Sequence, residues 1–181
     1  GAMREERACA GRVREQVAMA QRQTDHQLAP AGAAAASGTA GGRTPLRAPL
    51  QALLRVMQRL YAARELQLEM DEFADRLEFR GEEQDLQEMV GNLLDNACKW
   101  AARRVRIGPQ AIAPNRLRIV VDADGPGISE DERERIFERG VRMDEQRPGS
   151  GLGLDIVRDL AGTYGGEVSA GPSPLGGLGL T

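Results

Sequence analysis

Aromatic residues are scarce in this chain: they make up 3% of its 181 residues, with a single tryptophan. A hydrophobic core must therefore consist mainly of aliphatic side chains, which the 41% hydrophobic content can supply. The only two cysteines, Cys9 and Cys98, are far apart in the sequence, which favours reduced thiols over a disulfide or a metal pair. No apolar run of about 18 residues exists, so no membrane span and no membrane contact is predicted.

The net charge of −3 gives no basic surface for nucleic acid, so nucleic-acid binding is not expected. The length suits one domain with an appendage. The first three residues, 1–3, are typical of the scar left by a removed tag, and no signal peptide is visible.

Residues 4–36 are predicted to form one long helix. Val13, Val17, Ala20 and Thr24 recur at heptad-like spacings, and such a stripe needs a partner helix to cover it. The glycine-rich residues 37–43 are predicted to be a linker, and residues 44–181 a second domain.

Helical and strand patterns interleave in the second domain without regular βαβ units. The expected fold is α+β, a two-layer sandwich of a mixed sheet with helices on one face, preceded by the long N-terminal helix. Helices are predicted at 49–64, 82–100, 130–138 and from about 149 to 164; strands are predicted at 66–70, 77–80, 103–107, 117–122 and from 167, with a last strand approached at the end.

Four polar residues share one face of the helix predicted at 82–100. Glu88, Asn92, Asn96 and Lys99 follow one another at steps of four, four and three residues. Two neutral carboxamide oxygens suit a hard cation such as Mg²⁺, and the lysine suits a phosphate. The alternative is an ordinary solvated helix face.

Two glycine-rich segments follow this helix. Gly125 and Gly127 come directly after a strand, where glycine lets the backbone approach a ligand closely, although a plain turn has the same pattern. The second segment contains Gly149, Gly151 and Gly153 and opens a helix, whose first N–H groups suit a phosphate chain. Either segment alone is weak evidence.

In this order and spacing, the segments resemble the GHKL ATPases, and among them the sensor histidine kinases, most of all the PhoQ group. Residues 92–99 resemble the asparagine box, 124–128 most of the first glycine box, 136–140 the phenylalanine box and 149–154 the second glycine box. The resemblance covers about residues 44–181. It implies a Bergerat fold that binds ATP with Mg²⁺, and it makes residues 4–36 similar in position to the second helix of the dimerisation and histidine-phosphotransfer hairpin.

The resemblance also implies roles. Asn92 and Asn96 would hold the metal and Lys99 a phosphate. The other nucleotide-binding positions would be Trp100, Ala123, Gly125, Gly127, Arg139, Arg147, Gly149, Gly151, Leu152 and Gly153. The implied whole protein is a homodimer that transfers the γ-phosphoryl of ATP to a histidine and onward to a response regulator. This chain would be its cytoplasmic portion, with the membrane anchor of an inner-membrane sensor elsewhere.

Two departures from the family pattern stand out. Where the family has the aspartate that accepts a hydrogen bond from the adenine amino group, this chain has Ala123, so weakened ATP binding is expected. The helix that carries the family's phosphoacceptor is missing, and the single histidine, His26, is interpreted as structural or solvated. The chain alone is therefore not expected to phosphorylate itself.

Two other functions fit the same residues. Glu88 has the spacing of the general base in ATP-hydrolysing relatives such as the B subunit of DNA gyrase, which makes an ATPase the first alternative. The second is a non-catalytic dimerisation or docking module that has kept the fold and lost nucleotide binding.

Overall fold

The computed structural model describes residues 42–138, 140–141 and 153–181. The chain divides into two units between Ala40 and Gly41, and every described residue belongs to the second unit. The helix predicted at 4–36, with His26 and Cys9, and most of the predicted linker lie outside the described residues.

The described elements are four helices and seven strands. The helices are α1 (Arg47–Leu60), α2 (Glu83–Trp100), α3 (Glu130–Arg135) and α4 (Gly153–Thr163), with a 3-10 turn at Ala62–Arg64. The strands are β1 (Arg43–Pro45), β2 (Gln67–Met70), β3 (Glu78–Arg80), β4 (Arg104–Ala113), β5 (Arg116–Ala123), β6 (Ala170–Pro172) and β7 (Leu178–Leu180). Among these described helices, none has the length and apolar character needed to cross a membrane.

Five strands form one mixed sheet in the order β2-β4-β5-β7-β6. The β2–β4 pair is parallel and the other three pairs are antiparallel. A separate antiparallel pair joins β1 to β3. The predicted mixed sheet is thus confirmed.

The sequence of α2 explains its place in the core. Its apolar residues recur at helical spacing and are buried, whereas Asn92 and Asn96 on the other side are only half-buried. On the facing strands, alternate residues point the same way, so that Val105, Ile107 and Val121 join the same apolar cluster as α2. Helix α2 therefore covers one face of the sheet with its apolar side.

Several bounds differ from the predicted ones. The strand predicted at 103–107 is longer and ends at Ala113, and the helices predicted at 49–64 and 130–138 end earlier, at Leu60 and Arg135.

The strand predicted from residue 167 begins at Ala170, although Ser169 already exchanges backbone hydrogen bonds of 2.8 and 2.9 Å with Thr181. The last strand, β7, lies between β5 and β6 rather than at an edge. Its glycine-rich sequence has no alternating pattern from which this interior position could be predicted.

Candidate functional site

The start of α4 meets the polar face of α2 at Asn92. The Asn92 side-chain Nδ2 donates a 2.9 Å hydrogen bond to the carbonyl oxygen of Glu88, one turn back on the same helix. Its Oδ1 atom faces the backbone of Gly153, where a methyl group in place of hydrogen would lie 2.9 Å away. The two predicted segments, the asparagine-bearing helix and the end of the second glycine segment, therefore come together in the fold.

At the far end of the same helical face, Lys99 pairs with Asp95. The hydroxyl of Tyr61 donates a 2.6 Å hydrogen bond to the other carboxylate oxygen of Asp95, so α1 holds this carboxylate in place. The Lys99 side chain keeps 31% of its surface exposed. Trp100 and Asn96 are half-buried beside it. The ammonium thus sits on the α2 face, oriented by its neighbour one turn earlier.

Ala123 is the last residue of β5, and its side chain lies on the face of the sheet that α2 covers. It is 2% exposed and lies opposite Val105 in the strand register. Its neighbour Asp122 points to the opposite face, where it is also buried and forms a 3.2 Å ion pair with Arg106. The carboxylate of Asp122 is therefore separated from Ala123 by the sheet itself.

Asp124, the other neighbour of Ala123, is engaged with a turn. Its Oδ1 atom accepts hydrogen bonds of 2.9 Å from the backbone N–H groups of Ala102, Arg103 and Arg104. Desolvation of this carboxyl acts to raise its pKa, but the hydrogen bonds from these amides outweigh it and lower the pKa below the usual range. Neither neighbouring aspartate stands in for a carboxylate at position 123.

Gly125 allows the chain that follows β5 to pass close to the end of α2. A methyl group on Gly125 would lie 2.1 Å from the carbonyl oxygen of Trp100, a distance that no backbone tolerates. Gly127 has a φ of +70°, in the left-handed region that favours glycine. Gly177 packs equally closely, since a methyl there would lie 2.5 Å from the carbonyl oxygen of Ala123. Sequence reasoning missed Gly177, and the Gly176–Gly177 pair is the signal that marks it.

The phenylalanine-box segment is anchored in the core. Ile136 and Phe137 follow α3 and are 7% and 6% exposed. At the start of α3, Ser129 donates two hydrogen bonds to the carboxylate of Glu132. The bond from its backbone N–H is 2.9 Å long, and the bond from its hydroxyl is 2.6 Å long. Both hydrogen bonds lower the pKa of Glu132, and the bond from the hydroxyl has the larger effect. Arg139, Arg147, Gly149, Gly151 and Leu152 lie outside the described residues.

Within the described part of the chain, no group of three or more His, Cys, Asp or Glu side chains is arranged to hold a metal ion. A cation at the α2 face would accordingly depend on carboxamide oxygens such as Asn92 Oδ1 and on oxygens brought by a ligand. Magnesium bound in that way keeps several ligands from water and substrate phosphate.

Comparison with known proteins identifies the chain's relatives. Residues 81–181 match the family described as histidine kinase-, DNA gyrase B-, and HSP90-like ATPase. The sensor protein kinase CarS of Pseudomonas aeruginosa is 56% identical over 95 residues, 52% of this chain and 21% of CarS. The sensor protein PhoQ of Escherichia coli K12 is 40% identical over 121 residues, 67% of this chain and 24% of PhoQ. The matched region thus spans a quarter or less of these relatives.

A solved structure with a similar fold is also a sensor kinase, as the relatives found by sequence are. The mycobacterial sensor histidine kinase MprB superposes with a TM-score of 0.65 at 27% identity, covering 77% of this chain and 93% of the MprB chain. The arrangement of α2 and α4 over the mixed sheet is the Bergerat fold. Because the family match covers more than half of the sequence, the chain belongs to the histidine kinase-, DNA gyrase B- and HSP90-like ATPase family.

Proposed function

We propose that residues 44–181 are the ATP-binding catalytic domain of a sensor histidine kinase, and that residues 4–36 belong to its dimerisation hairpin. In the whole protein, this domain would present Mg·ATP to a phosphoacceptor histidine, from which the phosphoryl group passes to a response regulator. The observation that carries the proposal is the contact of Asn92 Oδ1 with Gly153 at the start of α4. It joins a metal-type oxygen to a helix N-terminus suited to phosphate.

The described residues fit a magnesium–phosphate ligand. The hydrogen bond from Asn92 Nδ2 to Glu88 fixes the amide so that its oxygen, a neutral acceptor, faces α4. Lys99 lies two turns further along the same face and supplies positive charge. Mg²⁺, when bound, would neutralise charge on the phosphates. The residues themselves bind and orient, which is the main work of a protein in phosphoryl transfer.

The adenine side of the site is proposed to be impaired at Ala123. Its methyl group offers no acceptor for the adenine amino group, and both neighbouring carboxylates are committed to Arg106 and to the turn amides. The lost hydrogen bond corresponds to about 1.5–3 kcal/mol. Affinity for ATP would therefore fall by about 10- to 150-fold relative to a chain with aspartate at this position.

The relatives favour a kinase over the alternative of an ATPase with Glu88 as general base, since both curated relatives described above are sensor proteins and one is named a kinase. In the structure, the Glu88 carbonyl orients Asn92, a role that does not require its carboxylate. The substitution Glu88→Gln separates the two functions. A kinase domain with Ala123→Asp keeps its slow background hydrolysis in the Gln variant, whereas a true ATPase loses hydrolysis by orders of magnitude.

Calorimetry with a non-hydrolysable ATP analogue and Mg²⁺ tests the proposal directly. The unchanged chain should bind weakly, and Ala123→Asp should bind about 10- to 150-fold more tightly. Ala111→Asp, an exposed position on β4, controls for the added negative charge. If the unchanged chain binds as tightly as Ala123→Asp, the adenine-side proposal is wrong. If neither binds, the proposed nucleotide site is wrong.

A further inference from the structure

The turn that joins α2 to β4 is held from two sides by opposite charges. On one side, the Arg64 guanidinium, at the end of the 3-10 turn, donates hydrogen bonds to the carbonyl oxygens of Cys98, Lys99 and Ala101; the bonds to Lys99 and Ala101 are 2.8 and 2.6 Å. These carbonyls belong to the end of α2, where unpaired C=O groups and the negative end of the helix dipole favour a cation.

On the other side, the carboxylate of Asp124 accepts from the next three backbone N–H groups of the same turn. Within residues 98–104, three carbonyl groups thus accept hydrogen bonds from an arginine and three amide groups donate hydrogen bonds to an aspartate. Charge-assisted hydrogen bonds of this kind are about twice as strong as neutral ones. Together they leave this turn little freedom to move.

The carbonyl of Trp100 lies between the carbonyls of Lys99 and Ala101, both of which accept from Arg64, and it is this carbonyl that abuts Gly125. Trp100 and Gly125 therefore take their relative position from a turn that Arg64 and Asp124 fix. Glu65, which follows Arg64, adopts a φ of 51°, a left-handed conformation that costs energy for a residue other than glycine. This strained conformation lies next to Arg64, the residue that donates hydrogen bonds to the end of α2.

We infer that Arg64 and Asp124 are positioning residues that set the wall formed by Trp100 and Gly125, against which the nucleotide base is bound. The inference deepens the proposed nucleotide site and depends on that proposal for the identity of the ligand. Neither side chain need contact the ligand. Both act through the backbone of residues 98–104.

The single tryptophan of the chain makes the wall observable without any ligand. In the full chain, Arg64→Gln should shift the emission of Trp100 to longer wavelength and raise its quenching by acrylamide. Arg64→Lys keeps the charge but offers one ammonium to three carbonyls, so it should recover part of the change. Arg59→Gln removes the same charge from an exposed position on α1 and should leave the emission as it is.

Asp124→Asn tests the wall from the other side, and it should also expose Trp100 if the two residues act on one turn. In the Ala123→Asp background, Arg64→Gln should weaken binding of the ATP analogue by about tenfold, while Arg59→Gln leaves it unchanged.

Three results would overturn the positioning inference. The first is emission in Arg64→Gln identical to that in Arg59→Gln. The second applies if Arg64→Gln fails to fold: it is Trp100 emission in both Arg64→Lys and Asp124→Asn that does not differ from that of the parent. The third is exposed Trp100 with analogue affinity equal to that of the Arg59→Gln control. If the Ala123→Asp background itself binds no analogue, the nucleotide proposal fails, and the emission series still decides whether Arg64 and Asp124 hold the wall.

Discussion

Asn92 and Gly153 meet across the contact between α2 and α4, with the carboxamide oxygen of Asn92 directed at the backbone of Gly153. These residues are far apart in the sequence, and each belongs to a separate segment of the family pattern. Their contact places the polar face of α2 at the N-terminal end of α4. That geometry leads to the first prediction.

Gly153→Ala should weaken binding of the Mg²⁺–ATP analogue while barely changing stability. The added methyl group would lie 2.9 Å from Asn92 Oδ1, so this side chain must turn away from the site. Because the group that moves is the end of a side chain, the free energy of unfolding should change by less than about 1 kcal/mol. Affinity, measured by calorimetry in the Ala123→Asp background, should fall by about tenfold.

Gly162→Ala, on the same helix, is the matched control, because no atom lies within 4 Å of the methyl group it would add. It should raise the free energy of unfolding by about 0.5–1 kcal/mol, the helix preference of alanine over glycine, and leave affinity unchanged. Equal affinity losses in the two variants would contradict the role assigned to the Asn92–Gly153 contact.

Gly125→Ala should destabilise the fold. Its methyl group would lie 2.1 Å from the backbone carbonyl of Trp100, which cannot move without breaking the bonds that hold the turn. Overpacking of this kind costs about 1–3 kcal/mol, measurable by urea denaturation. Gly171→Ala, in β6, has no neighbour within 4 Å and should cost much less. A loss for Gly125→Ala no greater than for Gly171→Ala would show that the close approach is not maintained in solution.

Cys98 should make stability depend on pH in alkaline solution. Burial raises the pKa of the Cys98 thiol from 9.0 to about 12, and the nearby negative charge of Asp95 makes a smaller contribution in the same direction. The pKa of the thiol is higher in the folded chain than in the unfolded chain. The contribution of the protonated thiol to the free energy of unfolding is therefore fully present below pH 9 and is lost as the pH rises toward 12. The slope approaches about 1.4 kcal/mol per pH unit at most.

Urea denaturation between pH 8 and pH 10.5 measures this slope. Cys98→Ala should flatten it relative to the parent. The burial of Tyr164 also raises its pKa, which gives a slope of the same sign that remains in the Cys98→Ala variant. An unchanged slope in Cys98→Ala would mean that the thiol is not shielded as the structure has it.

Ala123 should reduce the ability of the site to distinguish purine bases. An exocyclic amino group gains a charge-assisted hydrogen bond only when a carboxylate is present at position 123. The unchanged chain is therefore expected to bind ATP and ITP with affinities within about threefold of each other. Ala123→Asp should favour ATP by about tenfold or more. Competition of the two nucleotides against a fluorescent analogue gives this ratio, and a strong preference for ATP in the unchanged chain would refute the prediction.

Helical spacing was sufficient to predict which side of α2 carries the polar residues and which side is buried. Glu88, Asn92, Asn96 and Lys99 share that face because a helix repeats every 3.6 residues, and burial of Leu86, Val90 and Leu94 on the other side confirms the pattern. Strand alternation likewise predicted that Asp122 would point away from Ala123, as the Arg106 ion pair shows. Both are local properties, which the chain determines within a few residues.

Contacts between distant segments were decided only by the tertiary structure. The sequence alone determined the family pattern, the order of its motifs and the replacement at Ala123. It gave no sign that Arg64 would reach the carbonyls of residues 98–101, or that Gly177 would pack against Ala123. A guanidinium on an exposed turn and a glycine in a loop have many possible partners. Which partner each one meets depends on how α1 and α2 pack on the sheet and on where β7 pairs within it, and both are properties of the whole core.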